Sequence, residues 1–196
     1  MNRVVVIVLL TVAFDLLTAC DEGESVRDSA PTPTNSAAAA VSPSSSLAHY
    51  SNESLKVELD YPAGWAPVSG YELGGQPGRF ADPRGEAYGF FHVNALGGEG
   101  WTLDQAATDD AGHKLKPYGE HPQISTLNLP AGEARLITPD PTFPDLQTAE
   151  VIIRYETPLS AYSQSGLIVP VYNFFLLYAH IDDVDAIGES VRLVGN

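Results

Sequence analysis

Cysteine and basic residues are both scarce in this sequence, and each shortage excludes a class of function. Only one cysteine, Cys20, occurs among 196 residues, so neither an intrachain disulfide nor a thiolate metal cluster can form. Ten lysines and arginines stand against twenty-five aspartates and glutamates, which gives a net charge of −15. Nucleic-acid binding depends on Lys and Arg that neutralise phosphates, so this balance excludes a nucleic-acid partner. Electrostatics would also repel the chain from an anionic membrane surface.

Motifs that carry known chemistry are missing as well. The sequence has no Gly-x-Ser-x-Gly elbow, and the glycine-rich stretch 97–100 lacks the Lys-Ser/Thr pair of a phosphate loop. The acidic stretch that begins at Asp183 fails the EF-hand pattern, because Ile187 and Val194 stand where oxygen ligands are required. We therefore expect no catalytic residues, no bound metal and no cofactor.

The histidines leave one alternative open. Zinc sites favour two histidines three to five residues apart on one element, whereas His113 and His121 lie eight apart, with Glu120 beside the second. An envelope hydrolase or metal-dependent enzyme centred near His113 and His121 is the alternative function. Exposed loop histidines are the simpler interpretation of the same residues.

Long apolar runs are absent too, but a short one opens the chain. Residues 4–14 read VVVIVLLTVAF after the basic start Met1-Asn2-Arg3. This run is well below the about 20 residues that a membrane-spanning helix needs, and it fits the apolar region of a secretory signal peptide. The following Leu17-Thr18-Ala19-Cys20 resembles the lipobox of bacterial lipoproteins, although Asp15 departs from the usual pattern.

The lipobox resemblance implies a membrane anchor. In that family a diacylglyceryl group is attached to the cysteine sulfur, and residues before the cysteine are removed, which here would be residues 1–19. One short acyl chain binds a membrane only marginally, whereas two chains hold it stably. Cys20 would thus serve as an attachment point rather than a nucleophile. The resemblance predicts a cell-membrane protein that is lipid-anchored and faces outside the cytoplasm.

Residues 20–49 predict a flexible tether. They are rich in Ser, Ala, Pro, Thr and acidic residues and carry almost no large apolar side chains. Such a segment cannot bury enough surface to offset its ordering entropy. A flexible chain of this length has a root-mean-square reach of about 30 Å, which clears the lipid headgroups.

From residue 50 onward, alternating apolar residues predict one folded domain that extends to residue 196. The strands that we predict are 54–61, 78–82, 87–96, 123–129, 133–138, 147–155 and 171–179, with a further edge strand at 192–194. The strand over 171–179 differs from the others: its sequence VYNFFLLYA is apolar on both faces, so we expect it to be central in a sheet.

Two helices interrupt these strands. Thr102 and Gln105 form a predicted capping box, and the apolar residues after them recur at helical spacing as far as Leu115. A short closing helix is predicted over 183–190. Strands joined by hairpins, with one substantial helix between them, indicate an α+β fold: an antiparallel twisted sheet flanked by helices.

Three stretches resemble the PsbP-like domains. They are SLKVELDYPAGW near the start, RFADPRGEAYGFFHV in the middle, and the helix that runs into HKLKPYG. The resemblance could cover residues 50–196. It implies an antiparallel sheet with flanking helices and a role as an accessory or binding module rather than an enzyme; no functional residue is carried over from it.

Tyrosines suggest where such a module could bind. Tyr155, Tyr162 and Tyr172 lie in or near a long connection between strands, and Tyr118 follows the predicted helix. Because Tyr supplies rigid contact area at binding surfaces, we predict a binding face formed by these four residues. Packing of the same rings inside the sheet is the structural alternative, and a spacer without any partner is a further one.

Overall fold

The computed structural model describes residues 46–160 and 171–195. The predicted signal peptide, the lipobox with Cys20, most of the predicted tether and Tyr162 lie outside these residues. The described part is an α+β fold made mostly of antiparallel strands with two α-helices. Neither helix in these two ranges has the length and apolar character needed to cross a bilayer.

Twelve strands, two α-helices and one 3₁₀ turn make up the described residues. They are β1 (Leu47–Asn52), β2 (Val57–Pro62), β3 (Ala66–Pro67), β4 (Glu72–Leu73), β5 (Gln76–Pro77), β6 (Arg79–Ala81), a 3₁₀ turn (Glu86–Tyr88), β7 (Phe90–Leu96), α1 (Leu103–Ala111), β8 (Gln123–Leu129), β9 (Gly132–Thr138), β10 (Thr148–Ser160), β11 (Val171–His180), α2 (Val184–Ser190) and β12 (Arg192–Leu193).

The large sheet has seven strands in the order β3-β6-β7-β11-β10-β9-β8, and every adjacent pair is antiparallel. The doubly apolar β11 is the middle strand, which confirms its predicted central position. Its alternate residues supply both faces: Phe175 and Leu177 point to one side, Phe174 and Leu176 to the other.

A second, three-stranded sheet covers one face of the large sheet. Its order is β1-β2-β12, and it contributes Val57, Leu59 and Tyr61 from one side of β2. These residues pack with Phe175 and Leu177, and α2 adds apolar side chains to the same cluster. We call this side of the large sheet the inner face; Val151, Ile153, Phe175 and Leu177 belong to it.

Helix α1 packs on the opposite side, which we call the helix face: Ile137, Ile152, Phe174 and Leu176. The predicted capping box is confirmed, since the Thr102 hydroxyl accepts from the Gln105 N–H at 3.2 Å and the Gln105 side chain accepts from the Thr102 N–H at 2.8 Å. Only small residues of α1 are buried on the sheet, namely Ala106, Ala107 and Ala111.

Two boundaries differ from the prediction. Helix α1 ends at Ala111 instead of continuing to Leu115, because Gly112 closes the helix and Leu115, 77% exposed, has no apolar surface beneath it. The fold begins at Leu47 rather than at residue 50, because β1 pairs with β2 along its whole length. The sequence pattern did not predict β1, since its apolar residues do not alternate regularly.

Candidate functional site

A groove with a volume of about 800 Å³ lies at one end of the large sheet and the three-stranded sheet. Among the described residues, six short segments form it: 53–56 between β1 and β2, 73–74 at the end of β4, 94–95 in β7, 157–160 in β10, Tyr172 in β11, and 194–195 after β12. Volumes of a few hundred to a thousand Å³ are typical of small-molecule sites.

Buried Asn52 fixes one wall of this groove. Its Oδ1 accepts from the Leu55 N–H at 3.0 Å, which closes the turn between β1 and β2. Its Nδ2 donates to the Leu73 carbonyl at 3.2 Å and to the Tyr50 hydroxyl at 3.1 Å. One amide side chain therefore holds two groove segments, 53–56 and 73–74, at a set distance from each other.

Gly74 allows these two segments to touch. It has a φ of +61°, and a Cβ at this position would lie 1.9 Å from the Ser54 hydroxyl oxygen. Only glycine avoids both the steric clash and the left-handed backbone penalty here. The close approach seals the groove wall between Ser54 and Gly74.

An irregularity in β10 opens the opposite wall. The pairing register of β10 with β11 shifts between Arg154 and Leu159, and regular pairing resumes at Leu159 and Tyr172. A bulge of this kind bends the strand and re-aims its side chains. Beside Tyr172, the buried Asn173 has an Nδ2 without a hydrogen-bond partner among the described residues.

The lining of the groove combines hydrogen-bonding and apolar side chains. Four hydroxyl groups and one amide lie among the apolar side chains of the lining and can make polar contacts. They belong to Ser54, Thr157, Ser160, Tyr172 and Asn94. Among the described lining residues there is no histidine or cysteine, and therefore no nucleophile with an adjacent imidazole base. Such a mixture of hydrogen-bonding groups and apolar surface can orient a bound ligand.

The predicted tyrosine face does not form as one surface. Tyr118 is buried under the helix face and Tyr155 under the inner face, each only 1% exposed, so the large sheet separates them. The Tyr155 hydroxyl donates to the Leu55 carbonyl at 2.8 Å, and burial raises the pKa of its phenol. Strand alternation in β10 turns Tyr155 inward, whereas Tyr118, in the turn after α1, is buried against the helix-face cluster. Tyr172, half-buried, lines the groove, and Tyr162 lies outside the described residues.

The histidines of the alternative site are exposed and differently engaged. The His113 Nδ1 accepts from the Leu115 N–H at 3.2 Å, Glu120 pairs with Lys116, and the His121 backbone N–H donates to Asp140 at 3.0 Å. No group of three or more His, Cys, Asp or Glu side chains is placed to hold a metal ion in residues 46–160 and 171–195.

His92, in β7, is half-buried. Its ring stacks on Tyr178 at 5.6 Å between centroids and meets the edge of Tyr71. Burial, with the charge of Arg79, lowers the pKa of His92 to about 4. The imidazole is therefore neutral near pH 7. Together with Arg79 and Tyr178, it lines a cavity of about 230 Å³.

In comparisons with known protein families, curated proteins and solved structures, no match was found. The site must therefore be interpreted from its own geometry.

Sequence reasoning missed most residues of the groove. Its walls come from six separated segments, and no periodic pattern links Asn52, Gly74 and Thr157. The one available signal was the run of turn-forming residues 51–54 before a regular strand, which places Asn52 where it can cap a turn.

Proposed function

We propose that this protein is a lipid-anchored, extracytoplasmic binding module that holds a partner or ligand at the membrane surface. The observation that carries the binding part is the groove of about 800 Å³ at the end of the two sheets. The anchoring part rests on the sequence around Cys20.

The anchor explains how so acidic a domain stays near a membrane. With a net charge of −15 over the full sequence, the protein gains nothing from anionic lipid headgroups. A diacylglyceryl group on Cys20 supplies two acyl chains on one sulfur, which is enough for stable attachment. The tether then gives the domain a reach of about 30 Å, so the groove samples the space just outside the membrane.

The likeness to PsbP-like domains agrees with a binding role. Three stretches carry it, SLKVELDYPAGW, RFADPRGEAYGFFHV and HKLKPYG, and a PsbP-like fold would place helices beside an antiparallel sheet. The better-known PsbP-like domains are accessory or binding modules, which supports the same class of function for this chain.

Replacing the cysteine tests the anchor. In a bacterial host, Cys20→Ala is expected to release the protein from the membrane fraction, because no other acylation site remains. The intact mass of the wild-type N-terminal peptide should show a lipid-modified Cys20 as the first residue. A bare thiol at Cys20, with residues 1–19 still attached, would refute the anchor.

Narrowing the groove tests the binding site. Thr157→Trp adds an indole to an exposed lining position, and Thr126→Trp adds the same group to exposed β8 as a matched control. Native mass spectrometry and crosslinking of protein extracted from the host membrane should detect a bound molecule or partner with the wild type and Thr126→Trp. We expect at least tenfold less with Thr157→Trp. An equal amount of bound molecule or partner in all three proteins, or none in the wild type, would rule out the groove as the binding site.

A further inference from the structure

A fully buried carboxyl group lies beneath helix α1. Glu150 belongs to β10 and is 0% exposed on the helix face, between Ile137 of β9 and Tyr178 of β11. Glutamate is almost never fully buried unless a partner compensates for its lost hydration. The partners of Glu150 therefore indicate what this position does.

Three side chains meet Glu150. The Tyr118 hydroxyl donates to its Oε2 at 2.7 Å. Tyr178 lies directly across from Glu150 on β11, and the half-buried Asp110, in the last turn of α1, is close enough for its charge to raise the pKa of Glu150. One hydroxyl donor thus bonds to Glu150, a second carboxyl group lies nearby, and no lysine or arginine among the described residues forms an ion pair with either carboxyl group.

Two buried oxygens remain without a donor. Asp110 Oδ2 and Glu150 Oε1 have no hydrogen-bond partner among the described residues. A carboxylate only accepts hydrogen bonds, whereas a protonated carboxyl also donates one. A single proton placed between the two carboxyl groups satisfies both oxygens, while two ionised groups would leave them facing each other without any compensation.

We propose that Asp110 and Glu150 form a proton-binding site that holds one shared proton and thereby fastens helix α1 to the large sheet.

The surrounding charges favour a neutral Glu150 as the proton carrier. Burial, followed by the negative charge of Asp110, raises the pKa of Glu150 well above its usual value. Burial also raises the pKa of Asp110. The negative charge of Asp109 raises this pKa as well, whereas His113 lowers it.

The other elements around the pair add few charges. Burial raises the pKa of the Tyr118 and Tyr178 phenols, so both stay neutral. From β9 the neighbour across the strands is the apolar Ile137. On β7, His92 and the nearby Arg79 stand behind Tyr178.

Loss of the shared proton should loosen α1. The helix fully buries only three alanines on the sheet, with Leu103 partly buried beside them, so its apolar attachment is weaker than that of a helix that buries several leucines. Two ionised carboxylates beneath it would repel each other in a poorly hydrated position. Release of α1 would uncover Ile137, Ile152, Phe174 and Leu176, an apolar surface beside the membrane.

The sign of the pH effect follows from the raised pKa values. An unfolded chain loses these protons near pH 4, whereas the folded protein keeps one to a higher pH. The stabilising contribution is therefore complete in acid and falls as the pH rises from about 4 toward the raised pKa of Glu150.

The test uses Glu150→Gln, with Glu156→Gln on the same strand as matched control. The amide introduced by Glu150→Gln can donate to Asp110 and accept from Tyr118, so it replaces the proton permanently. Hydrogen-exchange protection of α1 relative to α2 is measured in the full chain from pH 4 to 9. In the wild type and in Glu156→Gln, this protection should fall at least tenfold as the pH rises over that range. In Glu150→Gln it should stay constant.

Carbon-13 NMR of the glutamate and aspartate carboxyl groups is an independent measurement. A purely structural role of Asp110 and Glu150 would not produce coupled titrations. Two coupled titrations shared by Asp110 and Glu150 are expected in the wild type. Asp110→Asn should abolish the coupling and also the pH dependence of α1 protection. Separate titrations at ordinary values in the wild type, or pH-dependent protection that persists in both variants, would overturn the proposal.

Discussion

The two faces of the large sheet are buried by different means. On the inner face, aromatic rings interlock: Phe91 stacks on Phe80 at 5.2 Å and meets Tyr50, Tyr61 and Trp65 at 5.1 to 6.3 Å. On the helix face, three alanines of α1 rest on isoleucine, leucine and phenylalanine, and a carboxyl pair with two tyrosines fills the remaining space.

Because of this difference, the two faces should contribute differently to stability and to its dependence on pH. Aromatic burial on the inner face should depend little on pH, because its titratable groups are tyrosine phenols, and burial raises the pKa of Tyr50 and Tyr61 above the usual value. A polar cluster depends on its protonation state and on complete hydrogen bonding. We therefore expect the inner face to determine whether the domain folds, and the helix face to determine how firmly α1 is attached.

The largest effect should come from removing an inner-face ring. Phe91→Ala deletes a fully buried side chain that contacts four aromatic neighbours, so we expect the free energy of unfolding to drop by about 3–5 kcal/mol. Urea unfolding followed by tryptophan fluorescence measures it. Phe143→Ala, at a 45% exposed position, is the control and should change stability far less. Similar losses in both variants would contradict the role of the inner face.

A matched pair of tyrosines compares the two faces directly. Tyr118→Phe removes a donor to Glu150, and Tyr155→Phe removes a donor to the Leu55 carbonyl. We expect losses of about 1–3 kcal/mol for Tyr118→Phe and about 1 kcal/mol for Tyr155→Phe. Denaturant titrations at several pH values measure both.

Only the first loss should depend on pH. The Tyr118 hydrogen bond lowers the pKa of Glu150, which means that it stabilises the ionised form. Removing it should raise that pKa further, so the stability lost in Tyr118→Phe grows as the pH rises. The loss in Tyr155→Phe should be the same at every pH below the phenol range. A flat profile for both variants would show that the two faces respond alike.

The smallest effect is expected at the start of α1. Thr102→Ala removes the capping hydroxyl that accepts from Gln105, which should lower stability by about 1 kcal/mol. Thr108→Ala, in the same helix, removes an exposed hydroxyl that bonds to the Asp104 carbonyl and should be neutral or slightly stabilising. Circular dichroism during thermal unfolding distinguishes the two. An equal loss in both would indicate that the cap contributes nothing specific.

Local patterns determined several elements of this fold. The alternation of β2, the doubly apolar β11, the hairpin of β8 and β9 and the capping box at Thr102 all depend on residues close together in sequence. Those predictions were confirmed because propensity and periodicity act over a few residues. The acidic composition and the residues around Cys20 are likewise properties of the sequence alone.

Tertiary structure alone decided which residues meet. Helix α1 stops at Ala111 because no apolar surface lies beneath Leu115, and Tyr118 and Tyr155 are separated by a sheet whose strand order no local pattern specifies. The groove and the Asp110–Glu150 pair join residues far apart in the chain, and carboxylates are too common in this sequence to single out two of them. Their environment, and hence their chemistry, is fixed by packing between elements, since burial and proximity are what shift a pKa.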